Sequence, residues 1–296
     1  MYSDNKICME ENKRVRGNNG MTVSLGSCFS TEMGNRMEAC GYRVCNNPFG
    51  VLYNPVSIAR SLGRLADGRP FTSEDVILRD TNPRHKRRRG QIIAMKEPVV
   101  REQCHVVPAH RPIAPDGGGY VSFWHHGSFA RKTPEEFLDN ANAALARASA
   151  DFREAGTVIV TFGTAWVFRH LERDIIVSNC HKHPAWEFRR ERLAVEDIVA
   201  LWNPVLDRFS SKRFVFTVSP VRHLKDGLHG NQLSKSILLL AVDALVQSHS
   251  NAEYFPAYEI VLDELRDYSW FGEDTVHPTA AAVDMVWERF SAQESL

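Results

Sequence analysis

Apolar runs bounded by turn residues alternate with stretches of helical periodicity along most of the chain, a pattern that predicts strands interleaved with helices. The first strand is "TVSLG". Directly behind it, "FSTEMGNRMEACG" places Phe29, Met33, Met37 and Cys40 on one helical face, with Gly41 as the stop. A loop with two Asn-Pro steps, "CNNPFGVLYNP", runs into a short helix expected from about Val56 to Ala66. "TPEEFLDNANAALARA" opens on a capping box, Thr133 with Glu136, and carries Pro134 at the first helical position. "TVIVTFG" and "RFVFTVSP" are short continuous apolar runs of the kind found in central parallel strands. "LAVEDIVALWNPVLDRF" reads as a helix kinked near Pro204. "NQLSKSILLLAVDALVQSH" is a long helix, apolar almost all round and therefore expected to pack centrally. "EYFPAYEIVLDELR" is a strand or a helix, and a last helix follows Pro278.

Strands alternating with helices in this way predict an α/β fold, a sandwich around a parallel sheet. In such sheets ligands sit outside the carboxyl ends of the strands, which sets Cys28, Gly163 with Thr164, and Ser219 with Pro220 along one rim. Residues 1–20 are polar and aperiodic and read as an arm, and residues 21–296 as a single domain. Within it, about 67–132 reads as an irregular insertion with a few strands and long loops.

Composition narrows the picture. Of 296 residues, 43% are apolar, enough for a sizeable core, and 36 Lys+Arg balance 36 Asp+Glu, so no global charge draws the chain to nucleic acid or an anionic membrane. No charged leader with an apolar run is visible, and no stretch reaches the roughly 18–20 apolar residues of a bilayer span. A soluble, cytoplasmic protein is expected. Six cysteines at irregular spacing make no disulfide framework and are read as mostly reduced and structural.

Two of the chain's features carry candidate chemistry. Ser27 and Cys28 stand where the first strand stops at Gly26 and a helix begins, a turn that aims a side chain up at the helix N-terminus. A thiol starts near pKa 8.5, and a helix N-terminus with a neighbouring imidazolium lowers it, whereas a serine there depends wholly on a base. "EDTVHP" supplies Asp274-x-x-His277, a spacing at which a carboxylate can fix the tautomer of a histidine base.

"LGSCFS", "NPFGVLYNP", "TFGTAWVF", "NCHKHPA", "VSPVRHLKDGLHGNQLSK", "YFPAYEIVLDELRDY" and "DTVHP" resemble the successive blocks of the GSCFA domain family, grouped with the SGNH/GDSL-type hydrolases. The resemblance runs from about Thr22 to about Phe290, with Ser30 where the family signature has Ala; residues 80–120 match no block. It implies a three-layer α/β/α sandwich with a mainly parallel sheet of about five strands. It also implies a site built from the first turn, a glycine, a polar residue of the third block and the D-x-x-H pair. In that register Cys28 takes the nucleophile position and Ser27 falls where the superfamily has Asp. The superfamily's Gly-x-Asn reads "FGTAW" here, so Thr164 or Asn47 is expected to assist the amides of Cys28 and Gly50 in holding an oxyanion.

The remaining polar clusters are weaker. "NCHKHPAWEF" gathers Cys180, His181 and His183, but no second ligand pair at recognised spacing supports a metal; it reads as a cleft-lining loop, with His181 facing substrate. His125 and His126 are read as an exposed pair. In "SPVRHLKDGLHGNQLSK", Arg222 or His223 can neutralise a carboxylate or phosphate. The basic run Arg84 to Arg89 reads as a solvated loop, and "DGGGY" lacks the spacing of a phosphate loop. The expectation is an acyl hydrolase or acyltransferase with a Cys28–His277–Asp274 triad, needing no cofactor. Its substrate is a small-molecule or carrier-linked acyl group. The competing expectations are a non-catalytic binding module on the same fold and an esterase using Ser27.

Overall fold

The computed structural model describes residues 20–79 and 119–294. The strands are β1 (Thr22–Gly26), β2 (Val44–Asn46), β3 (Ile77–Leu78), β4 (Tyr120–Val121), β5 (Thr157–Phe162), β6 (Trp166–His170), β7 (Ile175–Val177), β8 (Phe188–Arg192), β9 (Arg213–Val218) and β10 (Ala252–Tyr254). The longer helices are α1 (Cys28–Ala39), α2 (Pro55–Asp67), α3 (Pro134–Glu154), α4 (Val195–Arg208), α5 (Gly227–Ser248) and α6 (Ala280–Glu294). Five strands pair in parallel in the order β10-β9-β5-β1-β2, with Gly26 opposite Thr161 and Phe162 opposite Val218.

The sheet is apolar on both faces, which is why its strands read as continuous apolar runs. Side chains alternate across it. Val158, Val160 and Phe162, with Phe214, Phe216 and Val218, face a layer built from α2, α3, α4 and α5. Ile159 and Val215 face the other, built from α1, α6 and the helical turns at 257–264. The result is the three-layer α/β/α sandwich. Trp202 of α4 anchors the first layer, its ring 5.3 Å from that of Phe162 and 5.2 Å from that of Phe216.

Local signals set the helix ends. Asn54 accepts the Ser57 amide (2.9 Å) ahead of Pro55, and Gly68, at φ 61°, ends α2. Thr133 accepts the Glu136 amide (3.1 Å) to start α3. α4 continues through Pro204.

In the described part of the expected insertion, two-residue strands β3 and β4 pair antiparallel among short helical turns. One stretch differs from the sequence reading. Residues 166–192, which carry no clean alternation, fold into a second, antiparallel sheet in the order β7-β6-β8. There Arg190 stacks 4.1 Å over the Trp166 ring, so a charged residue covers a face that apolar residues usually mark. The arm up to residue 19 and the basic run Arg84–Arg89 lie outside the described residues.

Candidate functional site

The turn from β1 into α1 is held on every side. The Gly26 amide donates to Asn47 Oδ1 (2.8 Å), the Ser27 amide to the Thr161 carbonyl (3.2 Å), and the Gly26 carbonyl accepts from the Leu52 amide (2.8 Å). Asn47 Nδ2 then donates to Thr31 Oγ1 (2.8 Å), and Ser24 and Ser30 hydroxyls pair at 2.8 Å, tying helix to strand. Gly26 sits at φ 156°, and a Cβ there would lie 2.3 Å from the Thr161 carbonyl oxygen. Only glycine fits. Gly26→Ala is therefore expected to cost about 3 kcal/mol or more, read as a lowered urea midpoint, because the atom it strikes belongs to the neighbouring strand's backbone.

This turn separates the two nucleophile candidates. Ser27 is 1% exposed and its Oγ is buried without a hydrogen-bond partner. It caps α1 through its backbone only: its carbonyl accepts from the amides of Ser30 (2.9 Å) and Thr31 (3.4 Å), while its side chain makes no cap. Cys28 is the first residue of α1, is partly exposed and carries no disulfide. No side chain caps the helix, so its positive dipole end lies at Cys28 and Phe29. Of the other cysteines, Cys45 and Cys180 are likewise outside disulfides, whereas Cys40 is disulfide-bonded.

The Asp274-x-x-His277 pair forms as the spacing suggests. His277 Nδ1 lies 2.6 Å from Asp274 Oδ2, and Asp274 Oδ1 accepts the amides of Val276 (2.9 Å) and His277 (3.0 Å). Thr275 takes φ 57° to let the loop fold back onto the carboxylate. Burial pushes the Asp274 carboxyl up, but the bonds from the His277 ring and the two amides outweigh it, and the carboxyl stays below its ordinary value. A carboxylate on Nδ1 leaves Nε2 as the basic nitrogen. The loop is bound to the strand ends by the Arg222 amide, which donates to the Val276 carbonyl (3.1 Å).

The expected oxyanion donors are largely spent elsewhere. The Gly50 amide donates to the Asn47 carbonyl (2.7 Å), closing a turn in which Asn47 takes φ 44° and Gly50 φ 75°. Asn47 holds the elbow with both ends of its side chain, as described above. The Thr164 amide donates to the Tyr53 carbonyl (2.9 Å), and its hydroxyl pairs with Ser234 Oγ (3.1 Å) and accepts the Trp166 amide (3.1 Å). All three position the rim. A turn or hydroxyl hydrogen bond of this kind cannot be foreseen from residue type.

The expected substrate contacts divide. His181 is 2% exposed; its Nε2 lies 2.7 Å from the Ser122 carbonyl, and burial holds the ring neutral, down to about 4. Its hydrogen bonds run to Ser122 and Asn179 and make it a structural residue. His183 bridges Glu187 and the Leu78 carbonyl, both at 3.0 Å, so this tract ties β3 to the second sheet. Among the described residues no cluster of three His, Cys, Asp or Glu side chains offers a metal site. His125, expected at the surface, is 0% exposed and ringed by Phe49, Phe71, Phe129 and Phe137 at 4.5–5.6 Å. Arg222 stacks 4.2 Å over Phe271 and 4.7 Å over Tyr268, beside the Asp274 loop. His223 bonds to the Gly163 backbone; burial first, then the charge of Lys235, pushes it down to about 3, and its Nε2 is buried without a partner.

Lys235 escaped the sequence reading. It is 1% exposed, and its Nζ donates to the carbonyls of Ser219 (2.6 Å) and Gly163 (2.7 Å). The signal was present: Asn231, Ser234, Lys235, Leu238, Ala241, Val242 and Leu245 form one helical stripe, and all are buried. A lysine inside that stripe is a lysine inside the protein. Its neighbours do related work. Asn231 Oδ1 accepts the His223 amide (3.0 Å) and Ser234 Oγ accepts the Ala165 amide (2.8 Å), so one face of α5 holds the loops that follow β5 and β9.

Electrostatic influence joins these groups. Cys28 acts on Lys235, and both Lys235 and His277 act on His223. The fold and this rim define an α/β/α-layered domain that presents a cysteine at a strand-to-helix elbow, with a histidine held by an aspartate at the same strand ends. The chain belongs to the GSCFA family, whose model matches residues 21–290. No curated protein and no solved structure matches it. No helix among the described residues is long and apolar enough to cross a membrane.

Proposed function

We propose that this protein handles acyl groups through a covalent intermediate on Cys28, as a hydrolase or acyltransferase acting on a small-molecule or carrier-linked ester, thioester or amide. One observation carries the reading. A partly exposed cysteine stands at an uncapped helix N-terminus, on the rim where Asp274 fixes Nδ1 of His277.

The chemistry follows from those parts. His277 Nε2 takes the Cys28 proton, and Asp274 stabilises the imidazolium that results. The sulfur bonds to the acyl carbon, and the developing oxyanion meets the first-turn amides of α1, where the helix dipole also favours negative charge. Collapse breaks the bond to the leaving group, which departs with the proton from His277. Water, or an acceptor hydroxyl or amine, then attacks the thioester and gives its proton to His277. The carbon–sulfur bond breaks, and the thiolate is regenerated. Amines attack thioesters readily, so transfer stands beside hydrolysis.

The test is direct trapping. The full chain is incubated with 4-nitrophenyl acetate and with acyl thioesters of N-acetylcysteamine, quenched in acid and weighed intact. One acyl group per chain, mapped to Cys28, absent from Cys28→Ala and lost on adding amine or on standing in water, is the expected result. An adduct on Ser27 would make the protein a serine esterase. No adduct, with Cys28 alkylated by iodoacetamide like an ordinary thiol near pH 8.5, would overturn covalent catalysis in favour of a ligand-binding fold.

A further inference from the structure

Lys235 has no carboxylate partner among the described residues, yet it lies inside the protein. A buried ammonium is expensive unless an anion pairs with it. Its two known acceptors, the carbonyls of Gly163 and Ser219, are neutral, and they follow the last residues of β5 and β9. They pin Nζ at the carboxyl edge of the sheet. The elbow that carries Cys28 is tied to the same strand end: the Ser27 amide donates to the Thr161 carbonyl (3.2 Å), two residues before Gly163, and Cys28 lies close enough to act on the Lys235 charge. The sulfur-bearing elbow and the ammonium are thus both fastened to the carboxyl end of β5.

We infer that Lys235 is the counter-cation of the Cys28 thiolate, fixed in place by Gly163 and Ser219, and that it is the residue of α5 that makes this cysteine a nucleophile. The inference rests on the proposed role of Cys28. Three N–H groups belong to an ammonium, and two are committed to carbonyls; the third is available to the sulfur. The other groups facing Nζ do not compete for that place. The Tyr258 ring centre is 6.0 Å away, and His223 is neutral. Burial pushes Lys235 down to about 7, with Cys28 pulling the other way. By linkage, a thiolate that favours the ammonium is favoured by it to the same degree. Lys235 is thus a positioning residue acting through Cys28. His277 keeps its part as the base that takes the Cys28 proton and carries protons to the leaving group and from the acceptor.

The experiment measures Cys28 alkylation by iodoacetamide against pH in the full chain, with the label located by peptide mass. Wild type, Lys235→Met and His277→Ala are compared, each checked by circular dichroism. Lys235→Met keeps the length and removes the charge, and it is expected to slow labelling at pH 7 about tenfold or more and to move the midpoint upward. The replacement leaves the Gly163 and Ser219 carbonyls without their donor, so a lower stability is expected, and only the folded fraction is labelled. An unchanged profile in folded Lys235→Met overturns the inference while leaving Cys28 as nucleophile. An ordinary profile already in the wild type overturns the nucleophile reading instead. Should Lys235→Met fail to fold, the reciprocal measurement decides: a titration of Lys235 Nζ followed by nitrogen-15 NMR in wild type and Cys28→Ala. A midpoint that falls without the sulfur supports the pair, and one that stays overturns it.

Discussion

Replacing His277 with alanine is expected to slow acylation of Cys28 by about two to four orders of magnitude, the usual contribution of a positioned general base. The fold should scarcely notice. The His277 side chain is 36% exposed and that of Asp274 45%, and an ion pair so open to water contributes at most about 1 kcal/mol. Asp274→Asn is the sharper variant. Its amide oxygen can still accept the amides of Val276 and His277, so the loop is preserved, but its NH2 faces Nδ1 and drives the proton onto Nε2. The base is then blocked with its geometry intact, and a loss of about 10⁴ is expected. Stopped-flow release of 4-nitrophenol in a single turnover reads both. A His277→Ala variant that acylates at the wild-type rate would remove His277 from the reaction.

The second large effect is on stability in acid. His125 is buried among four phenylalanine rings, both its nitrogens without partners, and burial, with the charges of His181 and Arg64, pushes it down to about 3. Burial likewise pushes His181 down to about 4, only partly offset by its bond to Ser122. Unfolded, each would titrate near 6.5. Between those values the unfolded chain binds protons that the folded one refuses, so stability falls as pH drops from about 6.5 toward 4 and is unaffected by these groups above 6.5. His223, pushed down to about 3, behaves in the same way, so at pH 5 each of the three removes about 2 kcal/mol, roughly 6 kcal/mol together. That is a large share of a typical total of about 5–15 kcal/mol. Urea unfolding at pH 7.5 and pH 5 measures the difference, and His125→Phe should recover about a third of it, since nothing in its surroundings needs a polar group. Equal stability at the two pH values would show that these rings are protonated without penalty.

Much of this protein is written in short-range pattern. Continuous apolar runs mark strands buried on both faces, so β1, β5 and β9 were legible, and caps such as Thr133 and Asn54 act within three residues of themselves. The elbow was legible for the same reason: a strand, a glycine and a helix start are adjacent in the chain. So was the Asp274–His277 pair, whose partners are three residues apart. What stayed hidden depends on residues far apart in sequence meeting in space. The register sets Cys28 ahead of Ser27, but that the Ser27 hydroxyl is buried and the thiol partly exposed follows only from how the elbow packs against β5. Gly50, Asn47 and Thr164 are the right residue types for an oxyanion site, but once the rim is assembled the Gly50 amide goes to the Asn47 carbonyl, the Asn47 side-chain amide to Thr31 and the Thr164 amide to Tyr53, while the Thr164 hydroxyl pairs with Ser234. His125 reads as a surface residue until four aromatic side chains from three separate segments close around it. The second sheet formed without an alternating pattern because Arg190 covers Trp166. Lys235 lay between the two cases: the helical stripe that buries it is local, but the two carbonyls that receive its ammonium lie 72 and 16 residues away, and only the closed sheet brings them together.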